Sequence, residues 1–183
     1  MEKIKNVCAA DALEKLKKGN LEFLKTGKIS GDYSAEKRKE TEKNGQSPFA
    51  IVLTCSDSRV VPEVLFSCGI GDIFVIRTAG NVLGESEAAS IEYAAEHLGV
   101  NLAVVLGHTR CGAVSAALKG ETQGNIGVIT GDIIKAAEGV ETELSLCEKN
   151  VSRQAGKIKS EFSALTVCKA VCDISSGKVD WII

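Results

Sequence analysis

The sequence has no excess of basic residues, no long apolar run and no apolar signal core in its opening residues. Its 22 lysines and arginines are balanced by 24 acidic residues, which leaves a net charge of −2 and no basic field for nucleic acid or an anionic membrane. No apolar run approaches the ~18 residues of a membrane span. The opening residues, MEKIKNVCAADALEKLKKGN, contain no apolar signal core. We therefore expect no nucleic acid, no membrane and a cytoplasmic location.

Disulfide and nucleotide-binding patterns are also missing. The seven cysteines are an odd number, and the opening residues contain no apolar signal core, so we expect reduced thiols and no disulfide framework. Because neither a GxGxxG fingerprint nor a Walker lysine is present, a nucleotide-binding module ranks lowest among the interpretations. At about 150 residues per domain, the 183 residues predict one domain that covers positions 1–183. A metal is not needed for folding at this length, so any metal is expected to serve chemistry.

Apolar runs and helix-forming segments alternate along the chain. Short apolar runs predict strands buried on both faces at 48–54, 73–76 and 102–106. Helices are predicted at 11–24 with a break near Gly19, at 85–98, at 112–118 and as two segments within 126–160 with a break near Gly139. A solvated helix or loop is predicted at 36–43, and a hairpin at 165–174 with 179–183.

This alternation indicates an α/β fold. Strands that alternate with helices form a mainly parallel central sheet flanked by helices on both faces, with right-handed crossovers. The first helix forms an N-terminal helical arm, and the chain closes in a C-terminal hairpin.

Two of the predicted strands end in residues that a soft metal prefers. The first runs into Cys55-Ser56-Asp57-Ser58-Arg59, and the third into His108-Thr109-Arg110-Cys111. Ligands bind beyond the carboxyl ends of parallel strands, so adjacent strand ends would place Cys55 beside His108 and Cys111. Two thiolates and one imidazole suit a tetrahedral zinc ion with its fourth position open. The start of the following helix also favours the Cys111 thiolate.

Each of these residues has a plainer interpretation on its own. His-x-x-Cys alone is weak evidence, since free cysteine is commonly a small buried hydrophobe. Asp57 and Arg59 could form a surface ion pair worth ~0–1 kcal/mol. The neighbouring Cys55 favours the metal site, where Asp57 would accept a hydrogen bond and Arg59 would keep Asp57 ionised and oriented. The other five cysteines match no ligand position and are expected to be inert buried thiols.

The segments CSDSR and GHTRCG look like the two signature segments of the β-class carbonic anhydrases. The likeness extends to GQSPFAIVLTCSDSRV, GDIFVIRTAGN, SIEYAAEHLGV and VVLGHTRCGAV, in the usual order of that family, and it covers Ala12 to Ser115. DISSGKVDW resembles the closing hairpin of the family.

This resemblance implies the fold of that family and reversible hydration of carbon dioxide to bicarbonate and a proton by zinc-bound hydroxide. It also implies a homodimer or homotetramer. One zinc ion per chain would be bound by Cys55, His108 and Cys111, with Asp57 and Arg59 as the catalytic pair. In the family Asp57 can also move onto zinc as a fourth ligand until Arg59 reclaims it.

The resemblance also matches Gln46, Phe74 and Tyr93 to residues of the substrate pocket, partly supplied across a dimer interface. Gly112 follows Cys111, and its backbone N–H at a helix start could meet bicarbonate. From the residues alone, Phe74 is ordinary strand core and Tyr93 lies at helical spacing. Gln46 could equally be a loop residue, and Gly112 could only permit a tight turn.

Other functions of the same residues stay open at this point. A hydrolase of a related heteroallene, carbonyl sulfide or carbon disulfide, would use the same zinc site on another linear apolar substrate. A redox or zinc-binding thiol protein would cycle Cys55 and Cys111 between thiol and disulfide without His108. His97 is either a proton shuttle for the hydration reaction or a solvated residue at a helix end.

Overall fold

One five-stranded sheet forms the centre of the fold, in a computed structural model that describes residues 6–140 and 142–182. Its strands are β1 Ala50–Thr54, β2 Ile73–Arg77, β3 Leu102–His108, β4 Thr166–Cys172 and β5 Val179–Ile182. They lie in the order β2-β1-β3-β4-β5; the first four are parallel, and β5 is antiparallel to β4. The predicted strands and hairpin are confirmed, and Ile183 of that hairpin lies outside the described residues.

Helices cover both faces of this sheet. They are α1 Ala9–Thr26, α2 Ala35–Asn44, α3 Pro62–Leu65, α4 Glu85–His97, α5 Gly112–Leu118, α6 Ile126–Ile134 and α7 Glu143–Glu161. Gly139, with φ +67°, lies in the predicted break between α6 and α7. The apolar pattern did not predict α3 or the short 3-10 helix at Ala79–Asn81. Among the helices of the described ranges, none is long and apolar enough to cross a membrane.

The core consists of two layers, one on each face of the sheet. β1 and β3 are buried at every residue, as expected of apolar strands that are covered on both sides. Ile51 and Leu53 pack in the layer that contains α4 to α7, whereas Ala50 and Val52 pack in the layer that contains α1. Successive strand side chains point to opposite faces, so this division gives the predicted α/β architecture. α2 contributes no buried residue, as predicted for a solvated helix.

The predicted break at Gly19 is wrong, because α1 runs through this position without interruption. Gly19 is buried, and a Cβ added there would overlap the backbone carbonyl of Phe66, which follows α3. The glycine therefore allows α1 to approach this backbone closely, and it does not end the helix. α1 ends at Gly27, whose φ of +63° is left-handed.

Replacing Gly19 by alanine is expected to lower the free energy of unfolding by about 1–3 kcal/mol, the usual cost of overpacking. Alanine is the better helix former by ~1 kcal/mol, so the sign of the change separates close packing from helix propensity. The matched control is Gly156→Ala in α7, where an added Cβ meets nothing within 4 Å. That variant should gain roughly 0.5–1 kcal/mol. Urea unfolding measures both changes, and stabilisation of both variants would contradict the packing argument.

Asp132 joins α6 to α7 through its carboxylate. The carboxylate accepts hydrogen bonds from Lys157 at 2.8 Å, from Gln154 at 2.9 Å and from Arg153 at 3.1 Å. Lys135 lies farther away, at 3.8 Å. Burial alone would raise the pKa of Asp132, but these hydrogen bonds outweigh it and lower the pKa to about 2. The folded chain therefore keeps this carboxylate charged at lower pH than the unfolded chain does.

The stabilisation from Asp132 is expected to be complete above about pH 4 and to disappear as the pH falls towards the folded-state pKa of about 2. Asp132→Asn should lower the free energy of unfolding at neutral pH by about 1–2 kcal/mol, because its basic partners remain partly solvated. Denaturant unfolding of metal-free protein, from neutral to acidic pH, measures the difference in the free energy of unfolding between the variant and the parent. A difference in the free energy of unfolding that stays constant below about pH 4 would contradict this prediction.

Candidate metal centre

Three metal-ligating side chains meet beyond the carboxyl ends of β1 and β3. These strands are neighbours, with Thr54 beside Leu106, so Cys55 after β1 lies close to His108 at the end of β3. Cys111 is the N-terminal cap of α5. The ligand atoms of Cys55, His108 and Cys111 all lie within 4.8 Å of one another, and all three residues are buried. The structure thus brings the three predicted ligands together.

The geometry of these residues fits a tetrahedral zinc ion. The sulfurs of Cys55 and Cys111 are 4.0 Å apart, close to the roughly 3.8 Å expected when two thiolates each lie ~2.3 Å from one tetrahedral zinc. His108 is buried, yet its Nε2 has no hydrogen-bond partner, although buried ring nitrogens are normally paired. Its Nδ1 lies 2.9 Å from the carbonyl oxygen of Thr109. This contact assigns the ring hydrogen to Nδ1 and leaves the Nε2 lone pair for a metal.

Hydrogen bonds around Cys55 favour its thiolate form. The thiol of Cys111 is the foremost donor and lowers the pKa of Cys55 well below its ordinary value, with a smaller contribution from the backbone N–H of Gly80. The Gly80 nitrogen lies 3.2 Å from the Cys55 sulfur. The pKa of Cys111 is raised, first because Cys111 donates to Cys55 and then because it is buried. These contacts favour negative charge on the Cys55 sulfur, and metal binding must release any proton that the Cys111 sulfur retains.

Asp57 and Arg59 form a two-point ion pair beside the ligands. Arg59 donates from Nε to Oδ1 at 2.9 Å and from Nη2 to Oδ2 at 2.7 Å, and its backbone N–H also donates to Oδ1. These hydrogen bonds hold the pKa of Asp57 well below its ordinary range. Asp57 Oδ2 lies 3.9 Å from the unpaired Nε2 of His108. A charged carboxylate with a fixed orientation therefore borders the predicted metal position.

A second arginine holds the backbone of the same loop. Arg77, at the end of β2, donates from Nη2 to the Asp57 carbonyl at 2.7 Å and from Nε to the Cys55 carbonyl at 3.3 Å. Arg59 also donates to the Arg110 carbonyl at 3.2 Å, which joins the loop after β1 to the loop after β3. These contacts connect positions far apart in the sequence, so the spacing of the motifs did not predict them.

Comparison with known proteins identifies the family of this chain. A family model described as carbonic anhydrase matches residues 50–179, more than half of the chain and all three predicted ligands. The chain belongs to the carbonic anhydrase family. The predicted resemblance is thereby confirmed.

Relatives within the carbonic anhydrase family agree in sequence and in fold. A carbonic anhydrase of Mycolicibacterium smegmatis is 44% identical over 115 residues, which are 63% of this chain and 55% of that protein. The chain therefore spans about half the length of the curated relatives it matches. A β-carbonic anhydrase of Aspergillus fumigatus has a TM-score of 0.70 at 25% identity and covers 94% of this chain and 89% of its own. A structure of tetrameric β-carbonic anhydrases of Sordaria macrospora has a TM-score of 0.69 at 23% identity, over 81% of this chain and 91% of its own.

In this member of the carbonic anhydrase family, the predicted pocket residues lie on separate elements. Phe74 of β2 packs against the core layer that contains Cys55, and its ring centroid lies 6.2 Å from that of Tyr93 on α4. Tyr93 is 46% exposed. Gln46 is exposed between α2 and β1, and Gly112 is the first residue of α5. The structure brings Phe74 and Tyr93 together, and the pocket roles of all four residues stay predictions.

His97 is exposed at the last position of α4, and its ring centroid lies 5.3 Å from that of Tyr93. The tilted ring contact gives His97 a structural partner on its own helix. Its role as a proton shuttle stays a prediction.

The cysteines outside the ligand set are free thiols, as is every cysteine of this chain, all of which lie in the described ranges. Burial raises the pKa of Cys68, Cys147 and Cys172 to about 12, which makes these thiols unreactive at neutral pH. Cys147 donates to the His108 carbonyl at 3.3 Å and so supports the backbone of a ligand. The prediction of burial is wrong for Cys8, which is exposed and caps the start of α1 by accepting the Asp11 N–H, and Cys168 in β4 is only partly buried.

Proposed function

We propose that this protein catalyses the reversible hydration of carbon dioxide to bicarbonate and a proton, with one zinc ion bound by Cys55, His108 and Cys111. One observation carries the proposal. A buried Nε2 without a partner faces two sulfurs at zinc-ligand separation, and an ionised carboxylate borders the same space. Membership of the carbonic anhydrase family selects this reaction among those that such a centre could support.

Zinc in this site would supply the Lewis acidity that makes a water molecule lose a proton near neutral pH. The chain supplies the surroundings for that chemistry. The three ligands are at most 5% exposed, so their charge lies in a medium that screens it weakly. Carbon dioxide is small and apolar, and the apolar residues around the ligands provide the dry environment that it requires.

We assign Asp57 and Arg59 as the catalytic pair. Asp57 is placed to accept a hydrogen bond from the reacting oxygen and thereby to orient it, since its Oδ2 lies 3.9 Å from His108 Nε2. The planar guanidinium of Arg59 binds both oxygens of Asp57, which keeps the carboxylate charged and prevents its rotation. These hydrogen bonds from Arg59 compete with any movement of Asp57 onto the metal itself.

The remaining parts of the proposal concern the pocket and the assembly. We assign Gln46, Phe74, Tyr93 and Gly112 to substrate binding. The exposed ring of Tyr93 supports a homodimer or homotetramer that completes the pocket, and tetrameric β-carbonic anhydrases share the fold. The free thiols support a cytoplasmic location. We infer that residues 1–183 form a single catalytic domain, since one sheet carries both core layers.

Metal analysis of the purified protein, combined with stopped-flow hydration of carbon dioxide, tests this function. We expect about one zinc per chain and a hydration rate that a zinc chelator removes. Parallel assays with carbonyl sulfide and carbon disulfide test the related hydrolase. Zinc-loaded protein that hydrolyses these substrates but does not hydrate carbon dioxide would overturn the proposal, as would reversible Cys55–Cys111 oxidation without any zinc.

A further inference from the structure

The loop between β2 and α4 brings a backbone donor to one of the zinc ligands. The N–H of Gly80 donates to the Cys55 sulfur at 3.2 Å. Gly80 has φ +66° and the next residue, Asn81, has φ +47°, so two successive residues are left-handed. Asn81 is not glycine, and this conformation must be held by contacts from elsewhere in the fold.

The side chain of Asn81 does not hold this loop. Asn81 is 1% exposed, yet neither its Oδ1 nor its Nδ2 has a hydrogen-bond partner. Position 80 also has no room for a side chain, because a Cβ added to Gly80 would lie 2.7 Å from the Ile133 side chain and 3.1 Å from that of Ala113. The loop therefore depends on its backbone contacts.

Lys157 donates to the Leu83 carbonyl at 3.1 Å and the Asn81 N–H donates to the Thr78 carbonyl at 2.9 Å. The other contacts come from two buried amide side chains on α7. Asn150 and Gln154 are both fully buried, and they lie one turn apart on the same face of the helix. Asn150 Nδ2 donates to the Gly80 carbonyl at 2.8 Å. Gln154 Oε1 accepts the N–H of Leu83 at 3.1 Å, and Gln154 Nε2 donates to Asn150 Oδ1 at 2.9 Å. The two amides thus hold both ends of the segment from Gly80 to Leu83.

Burial of two amides is costly unless each finds partners, and here their partners are the loop, each other and the neighbouring Asp132 and Lys157. An apolar residue would fill the same space in this core without that requirement. The directional contacts orient Gly80 from its carbonyl side while its N–H points at Cys55. A donor aimed at a thiolate stabilises the negative charge on sulfur and fixes the orientation of the ligand.

We propose that Asn150 and Gln154 are positioning residues of the zinc centre, which act through Gly80 to hold an N–H donor against the Cys55 sulfur. The assignment rests on the zinc site of the proposed function and not on which substrate reacts there. It predicts that loss of the Asn150 amide weakens zinc binding although Asn150 is not a ligand.

The test compares Asn150→Leu with a matched control, Asn20→Leu. Asn20 is also a buried asparagine that donates to two backbone carbonyls, those of Leu65 and Gly177, but it belongs to the core layer on the other face of the sheet. Both variants lose buried hydrogen bonds and should unfold at lower denaturant concentration. Only Asn150→Leu should bind zinc about tenfold more weakly in competition with a chelator, the usual effect of losing a residue that orients a ligand.

A second readout uses cobalt-substituted protein, whose absorption contains a band from charge transfer between sulfur and metal. Loss of the donor at Cys55 should move this band to longer wavelength in Asn150→Leu and leave it unchanged in Asn20→Leu. If Asn150→Leu does not fold, Gln154→Met decides the question with the same readouts. It removes the contact to Leu83 and the hydrogen bond that orients Asn150.

Parental zinc affinity and an unshifted cobalt band in the folded α7 variant would overturn the proposal. Equal loss of affinity in Asn20→Leu would also overturn it, since the effect would then follow stability alone. Both measurements are made without carbon dioxide. Protein that binds zinc normally but does not hydrate carbon dioxide would therefore contradict the proposed function and leave the assignment of Asn150 and Gln154 intact.

Discussion

Replacing Cys55 by serine is expected to abolish stoichiometric zinc binding and to lower the hydration of carbon dioxide by more than ~100-fold. Loss of a residue that merely orients a ligand typically costs 10–100-fold in metal affinity or activity, so loss of a ligand should cost more. A neutral hydroxyl is also a much poorer donor to zinc than the thiolate that the surroundings of Cys55 favour. Metal analysis and stopped-flow hydration measure the two effects.

Cys68→Ser is the matched control for this variant. Cys68 is likewise buried, at 4% exposure, but it lies in the core layer of α1, away from the ligands. It should lose some stability because a hydroxyl replaces a buried thiol, while it keeps its zinc and its hydration rate. Retention of one zinc per chain in Cys55→Ser would show that the metal binds elsewhere. Loss of zinc from both variants would indicate general unfolding.

Asp57→Asn is expected to slow the hydration of carbon dioxide by roughly 10–100-fold while zinc content stays at the parental value. The substitution keeps the size of the side chain but replaces one acceptor oxygen with an NH2 group. The new amide could then accept only one of the two hydrogen bonds that the Arg59 side chain donates. It would also lose the charge that orients the reacting oxygen. Rate and zinc content are measured on the same preparation.

The size of the stability change separates this catalytic role from a structural one. The Arg59 side chain is 52% exposed but Asp57 only 16%, so, as for Asp132→Asn, Asp57→Asn should lower the free energy of unfolding by no more than about 1–2 kcal/mol, which leaves the protein folded at neutral pH. Arg59→Lys keeps the positive charge but not the planar guanidinium. Its hydration rate should therefore lie between the rates of Asp57→Asn and of the parent. Asp180→Asn, at the exposed pair with Lys178, is the control and should leave the rate unchanged. A parental rate in Asp57→Asn would refute the assignment of the catalytic pair without affecting the zinc site.

Local patterns were sufficient for the strands and for the three ligands. β1 and β3 are apolar at nearly every position because both of their faces are covered, and such continuous apolar runs can be recognised in the sequence. Cys55 and His108 lie where those runs stop, and parallel neighbours end at the same edge of a sheet. The motif around each ligand therefore indicated its place in the fold.

Local patterns failed where a residue serves a distant partner. Gly19 is predicted to interrupt α1 if only helix propensity is considered, but the carbonyl of Phe66 requires a residue without a side chain there. Asn150 and Gln154 lie in a helix whose sequence gives no sign of the loop that they hold, since Gly80 is 70 positions from Asn150. The proposed pocket roles of Gln46, Phe74 and Tyr93 involve a dimer interface, which the structure of one chain does not test.

The sequence by itself determined the α/β class, the resemblance to the family and the three candidate zinc ligands, because hydrophobic period and signature segments are properties of a few neighbouring residues. Only the tertiary structure decided the state of those ligands. The orphaned Nε2 of His108, the fixed carboxylate of Asp57 and the N–H directed at Cys55 all arise from contacts between separate elements. Such contacts depend on angles and on distances of a few ångströms, which are set when the layers pack and not when the segments form.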